Sequence, residues 1–266
     1  MRAPSPGEAP SSPAVETRAL TRVFDGKVAV DALDLVVPRG VFFGFLGPNG
    51  AGKSTTIRML CGMMTPTSGA ARVLGIDPAA DPEGVKRVLG ILPEEIHTYE
   101  RLSGWEILVF TGRMHALGIE ESERRAADLL ALMEVNEEDR HRLLVDYSMG
   151  TKKKVLLACA MIHSPRVLFL DEPFNGIDAV TARAIRRVLE RAVERGVTVF
   201  FSSHVMETVE RLCDLAAVIH RGRLVASGTV DDLRAAAGLG PGSPLEDVFV
   251  RLVGGVEDRG ALEWLA

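Results

Sequence analysis

The segment Gly47-Pro48-Asn49-Gly50-Ala51-Gly52-Lys53-Ser54 matches G-x-x-x-x-G-K-[ST] and stands between an apolar run at 41–46 and a stretch at 55–63 that reads as helix. Strand, glycine loop and helix in that order form a P-loop, which confines the chain to α/β folds with phosphates held at a helix start. Glycines let backbone N–H groups curl around an anion, and the helix N-terminus adds partial positive charge. From Gly47 to Thr55 the segment is therefore predicted to hold a nucleoside triphosphate. Lys53 is predicted to reach its β- and γ-phosphates, and Ser54 to offer a hydroxyl to Mg²⁺.

A second motif fits the first. Residues 167–170 are apolar, and Asp171-Glu172 follows directly. A buried strand would deliver both carboxylates to its carboxyl end, the edge where open α/β sheets bind ligands. Asp171 is predicted to hold Mg²⁺, through water. Glu172 is predicted to orient and deprotonate an attacking water. Alone, the pair could be an acidic helix cap; beside a P-loop the metal and base roles are the better reading.

Periodicity supplies the rest of the organisation. Strands are predicted at 28–35, 41–46, 167–170, 197–201 and 215–219, with helical character over 103–146 and helices at 180–194, 206–214 and 245–253. Strands alternating with helices imply a mainly parallel core. Residues 1–14, rich in Pro, Ser, Gly and Ala, read as a disordered tail. Residues 238–244 read as a linker, which separates a domain at 15–235 from an extension at 236–266. The 266 residues carry a net charge of -5, which argues against bulk nucleic-acid binding as the main task and leaves room only for a local patch. Three widely spaced cysteines form no disulfide framework, which fits a reducing, cytoplasmic setting. The longest apolar run, 155–162, is far short of the roughly 20 residues a membrane-spanning helix needs.

Three further motifs resemble those of the ATP-binding cassette (ABC) family. Tyr147-Ser148-Met149-Gly150-Thr151 resembles the family signature Leu-Ser-Gly-Gly-Gln. Asn175-Gly176-Ile177-Asp178 resembles the D-loop, and Phe200-Phe201-Ser202-Ser203-His204 resembles the strand that ends in the switch histidine. The resemblance covers residues 16–233. It implies a P-loop NTPase core with an inserted helical subdomain at about 95–150 and an antiparallel β subdomain. It also implies ATP and Mg²⁺ as ligands. Two cassettes would pair head to tail, as a homodimer or heterodimer, with Ser148, Met149 and Gly150 meeting the partner's ATP. By the same resemblance Phe24 would stack on adenine, His204 would bond the γ-phosphate, and Asp178 would belong to the D-loop. Glu94 stands where the family has the Q-loop Gln. We expect it to remain ionised and lie toward the metal or its water shell, with its loop touching a permease.

Met149 and Thr151 depart from the signature, and Glu94 from the Q-loop. The run Lys152-Lys153-Lys154 reads as a solvated charge run. Leu245-Glu246-Asp247-Val248-Phe249 resembles the end of one family branch that serves exporters of drugs, polysaccharides and lipids, with permeases on separate chains. Such a subunit would sit peripherally on the cytoplasmic face of the membrane. Two rival readings are a soluble cassette protein of translation or DNA repair and a nucleotide sensor that does not hydrolyse. The chain lacks the second cassette and the long coiled coils of the first, and Glu172 argues against the second.

Overall fold

A computed structural model describes residues 12–95 and 98–254. The chain enters through β1 (Val15–Phe24) and β2 (Lys27–Val37), crosses β3 (Phe42–Leu46), and turns into α1 (Lys53–Leu60). Next come β4 (Ser68–Val73), α2 (Pro82–Val88) and β5 (Leu89–Leu92), then a helical insertion made of α3 (Gly104–Met114), α4 (Ile119–Leu132), α5 (Glu137–Arg140) and α6 (Met149–Met161). The core resumes with β6 (Val167–Asp171), α7 (Ala179–Glu194), β7 (Thr198–Ser203), α8 (Met206–Leu212), β8 (Leu215–His220) and β9 (Arg223–Gly228), and closes with α9 (Val230–Ala236) and α10 (Leu245–Leu252).

Two sheets result. The central one has the order β5-β6-β7-β3-β8-β9, and the smaller antiparallel one β2-β1-β4. In the central sheet every pair is parallel except the β8–β9 hairpin. That hairpin turns through Arg221 and Gly222, both at positive φ (49° and 81°), as a type I′ turn requires. β3, β6 and β7 are buried at every residue, so their apolar stretches at 42–46, 167–170 and 199–201 are continuous rather than alternating. Strand alternation still sorts the rings. Phe42 meets Phe201 edge-on at 5.6 Å in one core, while Phe43 stacks on Phe200 at 5.2 Å in the other. The first core also takes in the helical insertion and α10, so one face of the central sheet and the insertion share one apolar body.

Several expectations shift. The predicted helical stretch 103–146 is three helices and a 3-10 turn at Leu144–Asp146, because Ser103, Gly118 and Asn136 each start a new helix. Ser103 does so through a capping box with Glu106. The first helix begins at Lys53, two residues before the expected position, directly after Gly52. The strands at 167–170 and 197–201 run on to Asp171 and Ser203, carrying polar residues into the sheet. Residues 12–14, at the end of the predicted tail, are among the described residues. Ala14 is fully buried and exchanges backbone hydrogen bonds with Val37 and Leu74, and Arg39 binds Ser12. Residues 1–11 and 255–266, the remainder of the predicted tail and extension, lie outside the described residues. Among the described residues no helix is long and apolar enough to cross a membrane.

Candidate nucleotide site

The strand order decides which side chains meet. β3 lies beside β7, and β7 beside β6, so the loops leaving these three parallel strands emerge at one edge. The register pairs Leu46 with Ser203 and Asp171 with Ser202. The glycine loop, the carboxylate pair and His204 are thus adjacent in space, although they are far apart in sequence.

Gly52 has φ of 106°, and a Cβ there would lie 2.5 Å from the Ala29 carbonyl oxygen. Only glycine tolerates both the conformation and the contact. The loop is closed by the Ala51 N–H donating to Pro48 O at 3.1 Å, and the Gly222 N–H donates to Ala51 O at 2.9 Å. Lys53 is buried at 6% exposure and folds back over the loop, donating to Gly47 O at 2.8 Å. Its Nζ also lies 3.3 Å from Glu172 Oε1. Ser54 and Thr55 follow in the first turn of α1, half-buried.

The carboxylates are held from β7. Ser202 Oγ donates to Asp171 Oδ1 at 2.5 Å and accepts from the Glu172 N–H at 3.0 Å. Glu172 is 4% exposed, and its backbone has φ of 49°. A positive φ at a non-glycine residue is uncommon and clusters at functional sites. Its Oε2 is 3.0 Å from His204 Nδ1. Its Oε1, although near Lys53, has no hydrogen-bond partner among the described residues. A buried carboxylate oxygen without a donor, facing an ammonium and a glycine cradle, fits a site that takes a polar ligand. Beside this edge, Pro48, Asn49, His204, Glu207, Phe249 and Val250 line a cleft of about 880 Å³.

The expected trans-acting segment is built as a helix start. Ser148 caps α6, its Oγ accepting from the Thr151 N–H at 3.1 Å, and Met149 is exposed at 52%. A Cβ on Gly150 would lie 2.9 Å from Thr181 Oγ1, so glycine is needed for α6 to approach α7. Thr181 is itself tied to Asp178, whose carboxylate caps α7 and accepts from Thr181 Oγ1 at 2.7 Å. The Thr181 hydroxyl and the helix-start N–H groups hold the Asp178 carboxyl below the usual range.

The profile of the ABC transporter family matches residues 30–175. The chain is 38% identical over 225 residues to the daunorubicin/doxorubicin resistance ATP-binding protein DrrA of Streptomyces peucetius, covering 85% of this chain and 68% of that protein. It is 36% identical over 249 residues to the probable multidrug ABC transporter ATP-binding protein YbhF of Escherichia coli K12, covering 92% of this chain but only 42% of that protein. Among solved structures, an ATP binding subunit of an ABC transporter superposes with a TM-score of 0.83 at 33% identity, covering 90% of this chain and 99% of that one. This chain belongs to the ABC transporter family.

The cassette brings together Gly47–Ser54, Asp171, Glu172 and His204, as the motifs imply. It leaves Ser148, Met149 and Gly150 on a separate helix start. Phe24 ends β1 and is 37% exposed, and the Arg22 guanidinium lies 4.5 Å from its ring centroid. Part of its π-surface is therefore already in use. Glu94 is exposed just past β5.

One reading is corrected. The run Lys152–Lys154 is not a solvated face. Lys153 is 5% exposed, and Lys152 pairs with Glu100 at 3.2 Å. Lys153 Nζ donates to the backbone oxygens of Glu172 (2.9 Å) and Asn175 (2.5 Å). Burial draws its pKa below the ordinary lysine value, while the Glu172 and Glu94 carboxylates oppose that shift. Sequence reasoning gave no role to Ser202, Thr181 or Lys153. Ser202 could have been found from the motif ending in His204, as the residue beside Asp171 on the neighbouring strand.

Proposed function

We propose that the cassette binds MgATP and hydrolyses it, and that hydrolysis drives a transmembrane permease carried on a separate chain, in the direction of export. One observation carries this reading: Lys53, Glu172 and His204 converge on the glycine cradle at one sheet edge, with Glu172 Oε1 left without a donor. The antibiotic-resistance names of DrrA and of the linearmycin resistance ATP-binding protein LnrL of Bacillus subtilis, 35% identical over 84% of this chain, support export.

The residues divide the work. N–H groups of the 47–54 loop and the start of α1 would bind the phosphates. Lys53 would move its charge from Glu172 to the γ-phosphate. Ser54 Oγ and Asp171 would hold Mg²⁺, which when bound supplies charge neutralisation on the phosphate oxygens. Glu172 would then accept a proton from water at Oε1. Its Oε2 engages His204 Nδ1 at 3.0 Å, which leaves Nε2 for a phosphate oxygen.

Phe24 would meet adenine with the part of its ring that Arg22 does not cover. Ser148, Met149 and Gly150 would meet ATP on a second cassette, identical or not, in a head-to-tail dimer, with Asp178 at the shared boundary. Glu94 would lie toward the metal's water shell, its loop against the permease. The ATP-binding unit would span 15–235, with helical insertion 95–150. Lys53→Ala tests the reading: nucleotide titration should show most MgATP affinity lost from a folded protein. Unchanged affinity together with unchanged phosphate release would reject the assignment.

A further inference from the structure

A buried lysine needs a reason, because taking an ammonium out of water is unfavourable unless its donors are satisfied. Lys153 has no carboxylate within salt-bridge distance among the described residues. Its contacts are two backbone carbonyls at the ends of one short turn, Glu172 O and Asn175 O. The same turn is closed by the Asn175 N–H donating to Glu172 O at 3.2 Å. It starts at the positive φ of Glu172 and leads to Asp178, the cap of α7. An αL residue that is not glycine persists only where its surroundings over-determine it. The Lys153 ammonium, with the Ser202 hydroxyl on the Glu172 N–H, supplies that determination.

The other end of the lysine matters equally. Lys153 sits on α6, one turn after the Ser148 cap, and α6 is fixed to α7 through the Gly150–Thr181 contact. A displacement of the α6 start therefore reaches the Glu172 backbone through one side chain, with no intervening loop. Resting on the function proposed above, we infer that Lys153 is a positioning residue. It couples engagement of the Ser148–Gly150 helix start by the partner's nucleotide to the alignment of Glu172 on the cassette's own nucleotide. It would thus link the two ATP sites of a dimer.

The test uses the full chain and its variants Lys153→Met, which removes every donor, and Lys153→Gln, which keeps an N–H₂ group. ATP affinity, kcat, KM and the Hill coefficient of hydrolysis are measured together. Lys53 and the glycine cradle are untouched, so ATP affinity should stay within about 2-fold of wild type. For Lys153→Met, kcat should fall at least 10-fold and the Hill coefficient should approach 1, with Lys153→Gln intermediate. A residue that only supports the fold would lower active fraction without changing the Hill coefficient. Wild-type kcat and cooperativity in Lys153→Met would overturn the inference, as would a Hill coefficient of 1 in the active wild type. Failure of both variants to fold also overturns it, by making Lys153 a residue of core stability. An inactive wild type would instead count against the proposed function.

Discussion

His163 offers a stability test that stands apart from the chemistry. Its ring stacks on His115 at 3.7 Å and 6°, and its Nε2 lies 2.9 Å from Leu89 O. The Leu89 oxygen can only accept, so Nε2 carries the proton and Nδ1 the lone pair. Nδ1 is buried and has no partner among the described residues. Protonating it would bury an unpaired N–H next to His115 and the Arg125 guanidinium. Burial first, then His115, brings the His163 pKa from 6.5 down to about 4. A depressed folded-state pKa means the unfolded chain binds more protons between those values, so stability falls as pH drops below about 6.5. Between pH 7.5 and 5 the full shift corresponds to about 2 kcal/mol, and water on the part-exposed ring reduces this to about 1–2 kcal/mol. The assay is urea unfolding of wild type and His163→Gln at both pH values. Gln can still donate to Leu89 O but does not titrate. Wild type should lose about 1–2 kcal/mol more than the variant on acidification. Equal losses would refute the reasoning.

Three further outcomes follow from the packing and the site. Gly150→Ala would press a methyl group against Thr181, which Asp178 prevents from retreating. Overpacking of about 1–3 kcal/mol against about 1 kcal/mol of helix propensity should leave a net loss in urea unfolding, with reduced hydrolysis; unchanged unfolding would remove this contact from the account. Burial pushes the thiol of Cys159 up to about 12 and those of Cys61 and Cys213 well above the ordinary value, so a thiol reagent at pH 8 should label the native chain slowly and all three cysteines after unfolding. For Glu94→Gln, half-maximal hydrolysis should require more free Mg²⁺; a curve overlaying wild type would end the metal role.

The candidate nucleotide edge was legible because such chemistry demands particular residue types at fixed spacing. Gly52, Lys53, Asp171 and Glu172 can each be placed at one sheet edge from the sequence, since strand–loop–helix order fixes where they emerge. The breaks within the helical insertion were harder. Gly118 and Asn136 interrupt an apolar pattern that is otherwise compatible with longer helices, and only the caps they form reveal the stops. Phe24 shows a signal that was present but unread. Arg22 is two residues away on the same strand, and alternate strand residues share a face. Lys153 was not legible at all. Three consecutive lysines describe a solvated surface unless carbonyls from a distant turn are brought to one of them, and that is a tertiary fact.

The central claim, that Glu172 is the base of an ATPase whose closed state is a dimer around ATP, is tested most directly by Glu172→Gln. Phosphate release at saturating MgATP, with gel filtration in the same buffer, measures both parts at once. Removing a general base should lower turnover by about 10²–10⁴-fold. Retained ATP should at the same time move the variant to twice its monomer mass. Turnover near wild type, with the variant still monomeric in MgATP, would contradict the account.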